Sequence, residues 1–143
     1  MRILGNPSVK LFLDDMRPLP PGYVHLATTA DECIACLATE SYGHVSLDHD
    51  LHRDHYAYQF DAAGGYNEAK RWDRAVLSVK TGYAVLEWMR AADLWPPEIQ
   101  IHSLSTGVAD MLAMLRAHAP KEVRVSRVQP HSLYPGAFDG RVP

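Results

Sequence analysis

Long apolar runs are missing from this 143-residue chain. No stretch reaches the roughly 18 consecutive apolar residues that a membrane-spanning helix needs. Arg2 precedes only a short mixed segment, not the apolar region of a signal peptide. A cytoplasmic protein without a membrane partner is the expectation. An excess of positive charge is missing too: 14 Lys and Arg stand against 17 Asp and Glu, for a formal net charge of −3. That balance excludes a strong double-stranded nucleic-acid footprint, though not a local basic patch. Cysteine is scarce, with only Cys33 and Cys36. Two thiols cannot build a four-ligand zinc site. Their C-x-x-C spacing can mark redox chemistry, but both lie near the apolar face of a helix-like segment and read as reduced core residues. No internal repeat and no linker interrupts the chain. Residues 1–143 therefore read as a single domain, long enough to bury a core. Nothing in the composition sets an oligomeric state.

Short strand-like and helix-like segments alternate along the chain. Residues 9–13 form a brief apolar run that stops at Asp14 and Asp15, the pattern of a buried strand. Pro18, Pro20 and Pro21 make residues 17–22 a loop. Residues 23–27 read as a second strand. Thr29 and Glu32 have capping-box spacing, and Ala30, Cys33, Ile34 and Leu37 follow with helical period. Residues 45–47 read as a third strand, again ending in acid at Asp48, His49 and Asp50. Thr81 can cap a helix whose apolar stripe is Val85, Leu86, Met89 and Ala92, closed by Pro96 and Pro97. Ile99 and Ile101 start a fourth strand running into His102 and Ser103. Ser105 or Thr106 can cap the next helix, with Val108, Met111, Leu112 and Leu115 on one face. Val123, Val125 and Val128 suggest a fifth strand, and the tail from Gln129 reads as irregular. Residues 51–80 form a long connection of the kind that is usually a functional loop or partly disordered.

Alternating strands and helices predict an α/β fold: a doubly wound, five-stranded parallel sheet in the order 2-1-3-4-5, with a long insertion after the third strand and a degenerate C-terminal end. Ligands bind such sheets beyond the carboxyl ends of the strands. Asp14, Asp15, Asp48, His49, Asp50, His102 and Ser103 all fall there. Crowded carboxylates repel one another. A hard divalent cation, Mg²⁺ or Mn²⁺, relieves the repulsion, and oxygen ligands suit it.

Taken singly, each motif has a plainer reading. An acidic pair can end a strand, and Asp48-His49-Asp50 can be a hydrogen-bonded turn. Ser103 can be an ordinary polar strand end. Their coincidence at three strand ends is the stronger signal. His49, His52 and His55 recur every third residue, a zinc-compatible spacing on a helix, but residues 50–54 read as a solvated loop. Residues 68–79 admit a helix. Lys70, Arg71 and Arg74 could meet a phosphate there and are more simply a solvated face. Trp72 and Tyr66 are candidates for stacking on a base, and Trp88 reads as core. Gly64-Gly65 lacks the spacing of a phosphate-binding fingerprint.

The strand ends resemble the receiver domains of response regulators. Asp14 and Asp15 match their acidic pair, Asp48 their phosphoryl-accepting position and Ser103 their hydroxyl. Two departures stand out. Arg127, Val128, Gln129 and Pro130 occupy the region where receivers carry Lys-Pro, and His49-Asp50 replaces apolar residues. The strings Leu11-Phe12-Leu13-Asp14-Asp15-Met16-Arg17, Ser46-Leu47-Asp48-His49-Asp50-Leu51 and Ile101-His102-Ser103 resemble more narrowly the cyclic-phosphate-processing receiver-like domains. Members of that family often carry an Asn shortly after His-Ser, where this chain has Leu104, Ser105 and Thr106.

This resemblance implies a metal-dependent phosphoesterase acting on a cyclic or terminal phosphate of a nucleotide, an ADP-ribose derivative or an RNA end. Hydrolysis needs an activated water and a group that moves protons. Metal ligation is expected from Asp14, Asp15 and Asp48. His49 and His102 are the acid/base candidates, with Asp50 orienting an imidazole or completing the metal shell. Ser103 and Arg17 are expected to hold phosphate oxygens. The alternative is a divergent receiver phosphorylated on Asp48 in signalling. A third option is a domain that binds without catalysing.

Overall fold

The computed structural model describes residues 2–3, 9–51 and 80–135. Readings that fall on 52–79, among them His52, His55, Tyr66, Lys70, Arg71, Trp72 and Arg74, lie outside the described residues. The main sheet contains β2 (Lys10–Leu13), β3 (His25–Ala27), β4 (His44–Leu47), β6 (Glu98–Ile101) and β7 (Arg124–Arg127). All neighbours are parallel, in the order β3-β2-β4-β6-β7. Counted by chain order within this sheet, that is the expected 2-1-3-4-5 arrangement. Beside it, β1 (Arg2–Ile3) pairs in parallel with β5 (Leu94–Trp95), a small sheet the sequence did not announce.

The helices are α1 (Ala30–Thr39), α2 (Tyr83–Ala92) and α3 (Val108–His118). α1 begins as its capping residues predict: Thr29 Oγ1 accepts from the Glu32 N–H at 3.1 Å. Glu32 does not return the bond to Thr29; its carboxylate accepts from the Thr28 N–H at 2.8 Å. One orphan donor of the helix end is still satisfied. α2 starts one residue later than Thr81 suggests, with Gly82 as N-cap, while Thr81 Oγ1 accepts from the Tyr83 N–H. It ends at Asp93, whose left-handed φ of 50° closes the last turn. α3 has Gly107, not Ser105 or Thr106, as N-cap; Ser105 Oγ accepts from the Gly107 N–H just upstream. Its buried stripe takes Met114, leaving Leu112 half-buried. The tail after β7 is not wholly irregular: Pro130–Leu133 forms one 3-10 turn, and Tyr134 is buried behind it.

Strand side chains alternate between faces, and here the faces differ in chemistry. Leu11, Leu13, Val45, Leu47, Ile99 and Ile101 join one core with Cys33 and Leu37 of α1, Val85 and Met89 of α2, and Met111 and Leu115 of α3. Each such fully buried aliphatic side chain contributes about 1.5–3 kcal/mol. Among the described residues, all three helices pack on this face. Cys33 is buried and Cys36 half-buried, both as thiols, and burial pushes the Cys33 thiol up. Trp88 packs against the same core. The opposite face carries Phe12, His44, Ser46 and Gln100, with Tyr23 edge-on to the Phe12 ring. Among the described residues no helix is long and apolar enough to cross a membrane.

Candidate functional site

Register builds the site. Leu13, Leu47 and Ile101 are aligned partners across β2, β4 and β6. The ladder continues one residue further, with Asp48 N–H donating to Leu13 O and His102 N–H to Leu47 O, each at 3.0 Å. Asp14, Asp48 and His102 are therefore consecutive across three adjacent strands, on the face opposite the helices. One ligand atom from each lies within 4.8 Å of the others, and all three residues are buried. Asp15, expected among the ligands, is not in that group, although its Oδ1 is buried; His102 takes the third place.

Arg17 reaches back into the cluster. Its Nη1 lies 2.9 Å from Asp14 Oδ2 and 3.6 Å from Asp48 Oδ2. The guanidinium expected to hold phosphate thus also balances the two carboxylates. Asp14 Oδ1 accepts from the Met16 and Arg17 N–H groups at 2.9 and 3.0 Å. Burial would raise the Asp14 carboxyl, but hydrogen bonds from His102, these two amides and the guanidinium outweigh it and hold it at about 2. Asp48 is pushed the other way. Burial and the neighbouring Asp14 charge raise its pKa well above the usual carboxylate value, against the lowering effects of Ser103 and Arg17. Its Oδ1 accepts from the His49 N–H at 2.8 Å, whereas buried Oδ2 has no hydrogen-bond partner among the described residues.

The two histidine candidates sit differently. His102 is fully buried, stacked on Phe12 at 4.4 Å between ring centroids. Nε2 faces Asp14 Oδ2 at 3.0 Å and Nδ1 faces Ser46 Oγ at 2.8 Å. Burial lowers its pKa, against the pull of Asp14. His49 points to the helix side. Nδ1 lies 2.8 Å from Asp50 Oδ1, and the ring packs on Gly107 at the start of α3. Ser103 Oγ accepts from the Ser105 N–H at 3.0 Å, bracing the loop after β6.

Sequence reasoning missed Ser46 and Gln100, whose side chains meet at 2.9 Å beneath His102. It also missed Tyr23, whose hydroxyl lies 2.7 Å from His44 Nε2 and donates to Gln100 at 3.1 Å. The signal was the strict alternation of His44-Val45-Ser46-Leu47 and Glu98-Ile99-Gln100-Ile101-His102, which reports one polar sheet face. Gly82 and Gly107 were missed as well. Their need for a bare Cα is visible only once α2 and α3 approach the Asp48-His49 segment.

Opposite shifts of neighbouring carboxylates set the acid response. Asp14, depressed in the fold, contributes stability above its ordinary value of 3.8 that is lost as pH falls through about 2. The depression corresponds to about 2 kcal/mol. An Asp14→Asn protein should accordingly lose less stability than the wild type between pH 5 and pH 2. Urea unfolding at both pH values measures this, and parallel curves would remove Asp14 from the account.

One cleft, about 410 Å³, lies between α2 and α3 and touches none of these residues. A second of about 220 Å³ borders Arg17. A family model described as cyclic-phosphate processing receiver domain matches residues 9–117, which contain every residue of the cluster. No curated protein matches the chain.

Proposed function

The chain belongs to the cyclic-phosphate processing receiver domain family, and from that premise we propose that it is a metal-dependent phosphoesterase acting on a cyclic or terminal phosphate of a nucleotide, an ADP-ribose derivative or an RNA end. The observation that carries this reading is the buried Asp14–Asp48–His102 group, with Asp48 Oδ2 lacking a hydrogen-bond partner among the described residues. A buried carboxylate oxygen left so is costly. A cation coordinated there would remove both that cost and the Asp14–Asp48 repulsion.

Carboxylate donors fit Mg²⁺ or Mn²⁺. Asp14 and Asp48 would hold it, with Asp15 adjoining. When bound, such an ion polarises a phosphoryl oxygen and activates water. The chain's own residues supply the rest. Arg17, partly exposed at the rim, presents a planar fork to phosphate oxygens. The Ser103 hydroxyl offers a further contact beside Asp48. His49, paired at Nδ1 with Asp50 and packed on Gly107 on the helix side, steadies the segment after Asp48 rather than facing the phosphate. His102 has both nitrogens committed to Ser46 and Asp14, so it orients Asp14.

The test is a screen of purified protein with Mg²⁺ or Mn²⁺ against 2′,3′-cyclic nucleotides, ADP-ribose cyclic phosphate and linear monoesters. Metal-dependent opening or release from at least one is expected, abolished by chelation. No turnover on any of them, together with a stable acyl phosphate on Asp48 after a small phosphodonor, would favour the divergent receiver instead.

A further inference from the structure

Three segments far apart in sequence meet beside the acidic cluster. Arg17 and Pro18 follow β2, Leu104 follows β6, and Pro130, His131 and Tyr134 belong to the turn after β7. Together they line the cleft of about 220 Å³. The Tyr134 hydroxyl donates to Pro18 O, tying the tail to the first loop and closing one wall. Pro130 and Tyr134 are buried, while Leu104 is 65% exposed at the rim. Two prolines, a leucine and a tyrosine make the lining mainly apolar, and Arg17 is its cation. The same Arg17 contacts Asp14 and Asp48, so the cleft and the proposed phosphate site share this side chain.

We propose that this cleft receives the base of a nucleotide substrate whose phosphate lies at the Asp14–Asp48 cluster. The inference rests on the phosphoesterase reading and adds to it the place where the base is held. The cleft is smaller than the roughly 300–1,000 Å³ pockets that hold drug-sized ligands. It suits one flat heterocycle. A free sugar phosphate would leave Leu104 and the proline faces wet, whereas a ring covers them and stacks on the rim side chains. Pro130, His131 and Tyr134 lie outside the residues 9–117 that match the family.

Two probes separate the cleft from the phosphate site. Adenosine 2′,3′-cyclic phosphate carries a base, and methyl riboside 2,3-cyclic phosphate does not. With Mn²⁺ present, calorimetry should show the first binding about tenfold tighter, the order one stacked base contributes. Leu104→Ser and His131→Ala, both at exposed positions, should each narrow that ratio toward one. Equal binding of the two probes overturns the cleft assignment alone. A preference that survives both substitutions places the base elsewhere and overturns it too. Binding of neither probe overturns the phosphoesterase reading and the cleft with it.

Discussion

Asp48→Asn should abolish metal-dependent hydrolysis and, in metal-free buffer near pH 7, make the protein more stable. The two effects share one cause. Asp48 is 2% exposed and neighbours Asp14, so its charged form is disfavoured in the fold. Below the ordinary carboxylate value of 3.8 it is neutral in both folded and unfolded chains and costs nothing. As pH rises past 3.8 the unfolded chain ionises first. Stability then falls by about 1.4 kcal/mol per pH unit until the raised folded value is passed. At neutral pH the cost built up above 3.8 is present. An amide keeps the shape and the acceptor for the His49 N–H, and can donate toward Asp14. A gain of about 1 kcal/mol, or about 3–4 °C in melting temperature for a domain of this size, is the expected order. Turnover should drop about a thousandfold, since metal-assisted charge stabilisation is worth several kcal/mol. Mn²⁺ should raise the melting temperature of the wild type and much less that of the variant. A variant that melts lower than wild type and still gains from Mn²⁺ would refute this account of Asp48.

Gly82→Ala should be among the most damaging single-methyl changes in the protein. A Cβ at position 82 would stand 1.8 Å from the backbone oxygen of Asp48. Gly82 has ordinary helical φ and ψ, so the obstacle is steric rather than conformational. The obstructing atom is backbone and cannot rotate away. The N-terminus of α2 must withdraw, and the 2.8 Å bond from the Gly82 N–H to His49 O is lost. A cost of about 3 kcal/mol follows from overpacking of this kind. Gly107→Ala makes a useful contrast. There the Cβ would meet the His49 ring at 2.4–2.6 Å. A side chain can swing aside, but only by leaving Asp50, so activity should suffer more than stability. Denaturant unfolding and turnover measured together separate the two. A wild-type midpoint for Gly82→Ala would show that the Asp48–Gly82 contact does not hold α2 in place.

The alternating elements were legible because the apolar patterns are short and clean. Residues 9–13 and the segment of Ile99 and Ile101 read as strands from their short apolar patterns and their abrupt polar ends. α1 was legible from Thr29, Glu32 and its apolar period. The small β1–β5 sheet was not, since two-residue strands carry no periodic signal. The starts of α2 and α3 shifted because Thr81 and Ser105 bond to nearby amides just ahead of glycine N-caps. For the site, Asp14, Asp48, His102 and Arg17 were named in advance and are brought together.

What local chemistry alone could decide was where each strand stops, because buried strands turn polar where they leave the core. It also decided that several acids and imidazoles would gather at one sheet edge, since parallel strands share a direction. Which of them touch was left to register and pleat. A pleated strand sends neighbours to opposite faces, so Asp14, Asp48 and His102 converge on one side while His49 is sent to the helix side with Asp50. Only three-dimensional packing could reveal Ser46 under His102, the glycines beneath the helix starts, and the distant turn that brings Tyr134 against Pro18.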